Sequence, residues 1–323
     1  FVQARAQDAF REHFLVAPDR GPFALSEREA YRRWRDWKLE HHPARAAEMV
    51  VEIADLAKPM AAEREAILDL VRRTNMALYA CTGRCRDEVD VRPDLMKFAA
   101  TFGLGLLEQH RSAGLDGIVA IEVADEGGRA GFIPYPTKPI NWHTDGYYNP
   151  PAELIRAMTL HCVRPAAEGG INGLIDPEIA YIRLRDRNPD FIRALMHPEA
   201  MTIPAFEEEG RTRATSTGPV FSVEAATGAL YMRYTARKRN VVWRDDPATR
   251  AAVEALMDIL TGGHEPLLFH TRLEAGQGVI CNNVLHDRSG FANATGSAPG
   301  RLYYRARYAE RIAGSLADAA HAA

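Results

Sequence analysis

Apolar residues in the first third of the chain recur at helical spacing. Segments near 26–40, 45–57 and 62–75 follow this pattern, with Ile67, Leu70 and Val71 at i, i+3 and i+4. Ser26 is a candidate helix N-cap, and Glu29 three residues later would complete a capping box. Between Met76 and Cys81 the pattern shifts to a short strand, and another helix is expected over Pro93 to Phe102. Gly117 to Ala124 reads as a buried strand bounded by turn residues.

From about 130 to 308, short apolar runs alternate with clusters of Gly, Pro, Asn and Asp. Strands are expected at Ala157–Val163, Gly173–Ile175, Val220–Val223, Ala229–Tyr234, Gly278–Asn282 and Arg301–Tyr308. Helices are expected at Pro247–Leu260 and Ile179–Asn188. So many short strands separated by turns predict a mainly β, α+β molecule: a sandwich or barrel with helices packed outside. No linker is evident. The expected division is a helical N-terminal extension (1–60), one catalytic domain (61–310) and an Ala-rich tail (311–323).

Composition narrows the possibilities. With 46% hydrophobic and 26% charged residues, the 323-residue chain has the balance of a globular protein. A formal net charge of −3 offers no overall basic field for nucleic acid or anionic lipid. Arg32, Arg33, Arg35 and Lys38 are interleaved with acidic residues, which reads as a solvated helix face. No apolar run reaches membrane-spanning length, and the first residues are too charged for a signal peptide. Four scattered cysteines (Cys81, Cys85, Cys162, Cys281) argue against a disulfide framework and for a reducing cytoplasm. Cys81 and Cys85 form a C-x3-C pair without a matching second pair, so free thiols are expected there rather than zinc.

The most informative stretch is Asn141-Trp-His-Thr-Asp-Gly-Tyr-Tyr148. If this segment is extended, His143 and Asp145 fall on one side of it. One more histidine would complete a facial triad with open cis positions on a non-haem iron. By itself H-x-D fits a hydrogen-bonded pair at a strand end equally well. The third ligand must come from a distant strand, and His286, between an apolar strand and a polar loop, is the candidate. Fifteen residues later Arg301 opens a strand that also carries Arg305 and Arg307 on one face. Arginine inside a barrel is costly unless it meets a carboxylate, and a dicarboxylate co-substrate would supply one.

Asn-Trp-His-Thr-Asp, the distal His followed by Asp-Arg-Ser-Gly-Phe, and Arg301 together resemble the taurine/2,4-D dioxygenase superfamily. Leu160 to Val163, Glu168 to Gly170 and Leu174 to Asp176 are similar to its γ-butyrobetaine and trimethyllysine hydroxylase branch. The resemblance runs from about residue 60 to 308. It implies a double-stranded β-helix (jelly-roll) core, Fe(II), 2-oxoglutarate and O2, with succinate and CO2 as co-products. His143, Asp145 and His286 match the iron ligands of that family, and Arg301 matches the arginine that pairs with the distal 2-oxoglutarate carboxylate. Asn172 stands where the family usually has a co-substrate-binding Thr, and Arg305 matches a contact to anionic substrate. The zinc-binding N-terminal domain of eukaryotic butyrobetaine hydroxylases has no counterpart here. Halogenases of the family lack the carboxylate, so Asp145 implies C–H oxidation, most simply hydroxylation.

Asn141, Tyr147, Tyr148, Arg288 and Arg305 are candidate substrate contacts, for which ordinary packing or surface charge is the competing reading. Aromatic faces suit a cation and arginines an anion, so a small anionic or zwitterionic substrate is expected. The basic run Arg233 to Asn240 is a further candidate. Two other classes stay open: a zinc hydrolase or isomerase on the same three ligands, and a non-catalytic ligand-binding jelly-roll. The helical extension could support a homo-oligomer.

Overall fold

The computed structural model describes residues 13–83, 90–108, 116–123, 137–208, 211–295 and 299–316. The larger sheet contains β1 (Val50–Ile53), β2 (Met76–Cys81), β3 (Val119–Ile121), β5 (Ala157–Arg164), β8 (Gln277–Cys281) and β10 (Leu302–Tyr308), in the order β1-β2-β8-β5-β10-β3. Only the β1–β2 pairing is parallel. The smaller sheet has β4 (Ile140–His143), β6 (Asn172–Ile175), β7 (Phe269–Thr271) and β9 (Leu285–Arg288), in the order β7-β6-β9-β4 and wholly antiparallel. The β8–β9 link, Asn282 to Val284, carries the chain from one sheet to the other.

One apolar cluster joins the sheets: Leu78, Tyr79, Val279 and Tyr303 of the larger sheet meet Leu174 and Phe269 of the smaller. The helices α2 (Ala61–Thr74) and α3 (Arg92–Ala100) cover it through Ile67, Leu70, Val71, Leu95 and Phe98. At Gly278 a Cβ would lie 2.3 Å from the Tyr79 ring and 2.6 Å from the Leu160 carbonyl, so only glycine fits where β2, β8 and β5 meet. A second cluster gathers α1 (Arg28–His41), α4 (Pro177–Arg187), α5 (Pro189–Leu195) and α6 (Pro247–Thr261) around Tyr181, Phe221 and Tyr234, with Trp142 and Leu285 from the small sheet.

Helix starts follow their local chemistry. Asp176 and Asp246 accept backbone N–H bonds at the starts of α4 and α6, each followed by proline. Asn75 ends α2 at φ 58°, a left-handed value that asparagine tolerates. The capping box expected at Ser26 does not form. A turn from Ala24 to Glu27 precedes α1, and Glu29 bonds Arg32 instead of folding back on the cap. The helix expected over 45–57 is also corrected: a short 3-10 turn, Ala46–Met49, leads straight into β1. Pairing with β2 outweighs the local helical spacing there.

α1 is tied to α4 by a buried charge cluster. Lys38 is fully buried, 2.7 Å from Asp176 and also paired with Glu178. Cys162 and Cys281 are free and buried, whereas Cys81 is disulfide-bonded rather than the thiol expected. Few cysteines argue against a framework of cross-links but not against a single one. Cys85 lies outside the described residues. No helix among the described residues is long and apolar enough to cross a membrane.

Candidate metal centre

The β4–β9 pairing places His143 directly opposite His286, with ring centroids 4.2 Å apart. Both rings are oriented alike. Nδ1 of His143 bonds the Asn141 carbonyl at 2.8 Å, and Nδ1 of His286 bonds the Val284 carbonyl at 2.9 Å. A carbonyl can only accept, so each Nδ1 carries a proton and Nε2 is the nitrogen left to bind a metal. The two Nε2 atoms lie 3.6 and 3.9 Å from Asp145 Oδ1. One ligand atom from each of the three residues falls within 4.8 Å of the others, and no further group of this kind occurs among the described residues.

Asp145 gets there by a turn, not by continuing the strand. β4 ends at His143, and Thr144 exchanges hydrogen bonds with the Tyr234 backbone at 3.0 Å each. The Asp145 main chain is then gripped by one side chain from the sheet-to-sheet link. Its N–H donates to Asn283 Oδ1 at 2.7 Å, while Asn283 Nδ2 donates to the carbonyls of Asp145 at 2.9 Å and Ile155 at 2.8 Å. Asn283 itself sits at φ 49°. The extended geometry expected for residues 143–145 is thus replaced by a turn that still brings Asp145 beside both imidazoles.

β10 supplies the positive charge. Nη1 of Arg305 and of Arg307 lie 3.6 and 3.7 Å from Asp145 Oδ1. Burial opposes the charge on Asp145, but these two guanidinium groups and then the imidazoles outweigh it, holding the carboxyl well below the usual carboxylate range. Burial, with His143 second, pushes His286 down to about 4, so it is neutral and metal-competent near neutral pH. Arg307 is further committed, pairing with Glu108 and donating to the Tyr148 hydroxyl at 3.2 Å.

A second group lies toward the start of β10. The Arg301 guanidinium packs 3.8 Å from the Tyr303 ring centroid and 4.9 Å from that of Phe291, whose ring also faces Arg288 at 4.8 Å. Asn172 is the cross-strand partner of Arg288, and a Cβ on nearby Gly170 would lie 3.8 Å from Arg301 Nε. Arg301 Nε and Asn172 Nδ2 are buried without hydrogen-bond partners. Burial lowers the pKa of both arginines, that of Arg288 to about 10. Buried unpaired donors of this kind call for an anion. Gly173 keeps this wall thin, since a Cβ there would strike Asp287 Oδ1 at 2.3 Å and Trp142 at 2.7 Å.

Of the remaining candidates, Tyr147 and Tyr148 form an edge-to-face pair at 5.1 Å, and Tyr147 stands 6.2 Å from the His143 ring. Asn141 is exposed and contributes its carbonyl to His143. Arg288 groups with Arg301 rather than Arg305. In the basic run, Arg233 is buried and bonds the carbonyls of Tyr147, Met201 and Ser216. Arg237 to Arg239 are exposed. Sequence reasoning missed Asn283, Glu108 and Arg213; only the Asn-Asn pair beside the His286 strand offered a signal, for a left-handed residue.

Comparison with known proteins bears on the family and the fold. Residues 40–306 match the family model for the taurine catabolism dioxygenase TauD, TfdA family. A uridine-5′-phosphate dioxygenase from Amycolatopsis sp. is 31% identical over 177 residues, which span 52% of this chain and 60% of that protein. A taurine dioxygenase structure from Burkholderia xenovorans has a TM-score of 0.51 at 18% identity, covering 83% of this chain and 89% of that one. An asparagine oxygenase structure in complex with Fe(II), hydroxyasparagine and succinate has a TM-score of 0.51 at 16% identity, covering 87% and 91%. At these identities the structural likeness concerns the fold.

Proposed function

The chain belongs to the TauD/TfdA family of Fe(II)- and 2-oxoglutarate-dependent dioxygenases, and we propose that it oxidises, most simply hydroxylates, a C–H bond of a small anionic or zwitterionic substrate. The single observation that carries this reading is the set of three ligand atoms from His143, Asp145 and His286 within 4.8 Å of one another, on a sheet that also carries Asn172, one of the unpaired Arg301 and Asn172 donors. A zinc hydrolase would need the triad and an anion-binding protein the donors, but neither would need both.

We read the two sheets as a double-stranded β-helix and residues 61–310 as the oxygenase unit. The preceding 1–60 segment lends β1 to the larger sheet and packs α1 against α4. In the 311–323 tail, the Ile312 N–H donates to Asn282 Oδ1.

In this reading His143, Asp145 and His286 hold the iron, while Arg301 and Asn172 receive the distal carboxylate of 2-oxoglutarate. Bound iron and 2-oxoglutarate together supply an O2-derived oxidant strong enough to remove a substrate hydrogen, with succinate and CO2 released. The protein's part is geometric and electrostatic. The paired Nδ1–H bonds fix both imidazoles with Nε2 toward the metal. Arg305 and Arg307 keep Asp145 ionised. Of these two, Arg305 is the one available to an anionic substrate, because Arg307 is held by Glu108 and Tyr148. Tyr147 and Tyr148 offer a wall against which substrate can pack. The Amycolatopsis relative makes uridine 5′-phosphate the first compound to try, beside taurine and carnitine-like zwitterions.

Anaerobic addition of Fe(II) and 2-oxoglutarate is expected to give a weak visible charge-transfer band, and air should then release succinate. Absence of both would sink the oxygenase reading.

A further inference from the structure

Against the tyrosine pair lie two arginines that neither iron nor 2-oxoglutarate binding uses. Arg213 belongs to the hairpin formed by Phe206–Glu208 and Arg211–Arg213. Its guanidinium carbon lies 5.2 Å from the Tyr148 ring centroid and 5.9 Å from that of Phe206. One nitrogen reaches the Pro204 carbonyl at 3.4 Å, but Nε is buried with no hydrogen-bond partner. Arg237 approaches from another segment. Thr235, two residues earlier, is bridged to His143, and Ala236 N–H donates to the Trp142 carbonyl at 2.8 Å. Arg237 then donates to the Tyr147 hydroxyl at 3.3 Å and is otherwise exposed, followed by exposed Lys238 and Arg239.

Each tyrosine therefore carries two arginines of different standing. Tyr147 has its carbonyl held by buried Arg233 and its hydroxyl by Arg237; Tyr148 has its hydroxyl held by Arg307 and its ring faced by Arg213. Arg233 and Arg307 are buried and anchored by backbone carbonyls or by Glu108. No salt bridge joins Arg213 or Arg237 to a carboxylate among the described residues. One such cation on each tyrosine of a pair that starts one ring from His143 suits a planar group bearing an anion.

We propose that Arg213 and Arg237 form an outer subsite for a tetrahedral oxyanion, phosphate or sulfonate, on the substrate end remote from the oxidised carbon, with the adjoining planar part packed on Tyr147 and Tyr148. This rests on the oxygenase reading and adds a specificity determinant to it. The substrate then extends outward from the metal past the tyrosines, and is not confined to the neighbourhood of Arg305.

The test is anaerobic calorimetric titration of the Fe(II)- and 2-oxoglutarate-loaded enzyme with phenyl phosphate, benzenesulfonate and phenol. At least one of the two oxyanions should bind about tenfold or more tightly than phenol, the gain expected of a charge-assisted hydrogen-bond pair. Arg237→Gln and Arg213→Gln should each remove most of that preference without weakening phenol, and Arg237→Lys should retain part of it. Equal affinity for phenol and both oxyanions, or an undiminished preference in Arg237→Gln, overturns the subsite. Arg237 is exposed, so its variants decide the matter even if Arg213→Gln folds poorly. A missing charge-transfer band in the loaded wild-type enzyme would instead indict the metal reading, which separates the two failures.

Discussion

Asn283 shows how much one uncharged side chain can decide. It makes three buried hydrogen bonds, two to the Asp145 main chain and one to Ile155, so the carboxylate position depends on it. Groups that orient a ligand in this way are worth about 10- to 100-fold in metal affinity. Asn283→Ala should weaken Fe(II) binding by about that factor, read by metal titration of the charge-transfer band at saturating 2-oxoglutarate. Unchanged affinity would show that the turn holds Asp145 unaided. Asp145→Ala should abolish succinate release, and persistence of turnover would refute its place on the metal. On the proposed reading Arg301→Ala removes the cation that receives 2-oxoglutarate, so the KM for 2-oxoglutarate should rise by at least about tenfold with the loss of a charged hydrogen bond. A rise in the KM for the prime substrate alone would move Arg301 to a different part of the site.

At the scale of elements, the attachment of α1 turns on Lys38. A fully buried ammonium between Asp176 and Glu178 is stable only because the carboxylates and the Asp176 cap surround it. Lys38→Ala strands those carboxylates in the interior and should cost about 3–5 kcal/mol in urea-induced unfolding. A loss below about 1 kcal/mol would show that the cluster rehydrates freely. The same element scale explains the misread 45–57 segment. Its apolar spacing fits a helix, yet Val50 to Ile53 pair in parallel with β2 and are held by contacts far away in sequence. In contrast, α2, α4 and α6 carry local signals that agree with their packing, and their observed bounds differ from the expected ones by no more than two residues. Asn188, where the expected helix ends, also caps the start of α5, a helix that the sequence reading does not predict.

For the molecule as a whole, buried histidines link stability to pH. His161 is buried in the larger sheet, its Nδ1 3.0 Å from the Tyr79 hydroxyl, and burial lowers it to about 4 from its ordinary 6.5. It is neutral in the fold and takes a proton on unfolding between those values. Its contribution is therefore intact above about pH 6.5 and is lost as pH falls toward about 4. One such group steepens the dependence by at most about 1.4 kcal/mol per pH unit in that window. His161→Phe should flatten the slope of urea-unfolding free energy between pH 6.5 and 4.5, whatever it does to stability at pH 7. An unaltered slope would mean that His161 protonates within the folded protein.

The sequence by itself determined the mixed strand-and-helix character and the family, and it singled out His143, Asp145, His286 and Arg301 as candidates, because each sits in a short motif whose residue types suit ligand chemistry. It also determined the inward run of arginines on β10, since alternation along a strand is local. Tertiary structure alone decided that Asp145 reaches the histidines through a turn clamped by Asn283, that Arg288 joins Arg301, that Arg233 is consumed by backbone carbonyls, and that Arg213 stands over Tyr148. Those facts depend on which distant segments lie side by side, and no periodicity within a segment encodes its neighbour.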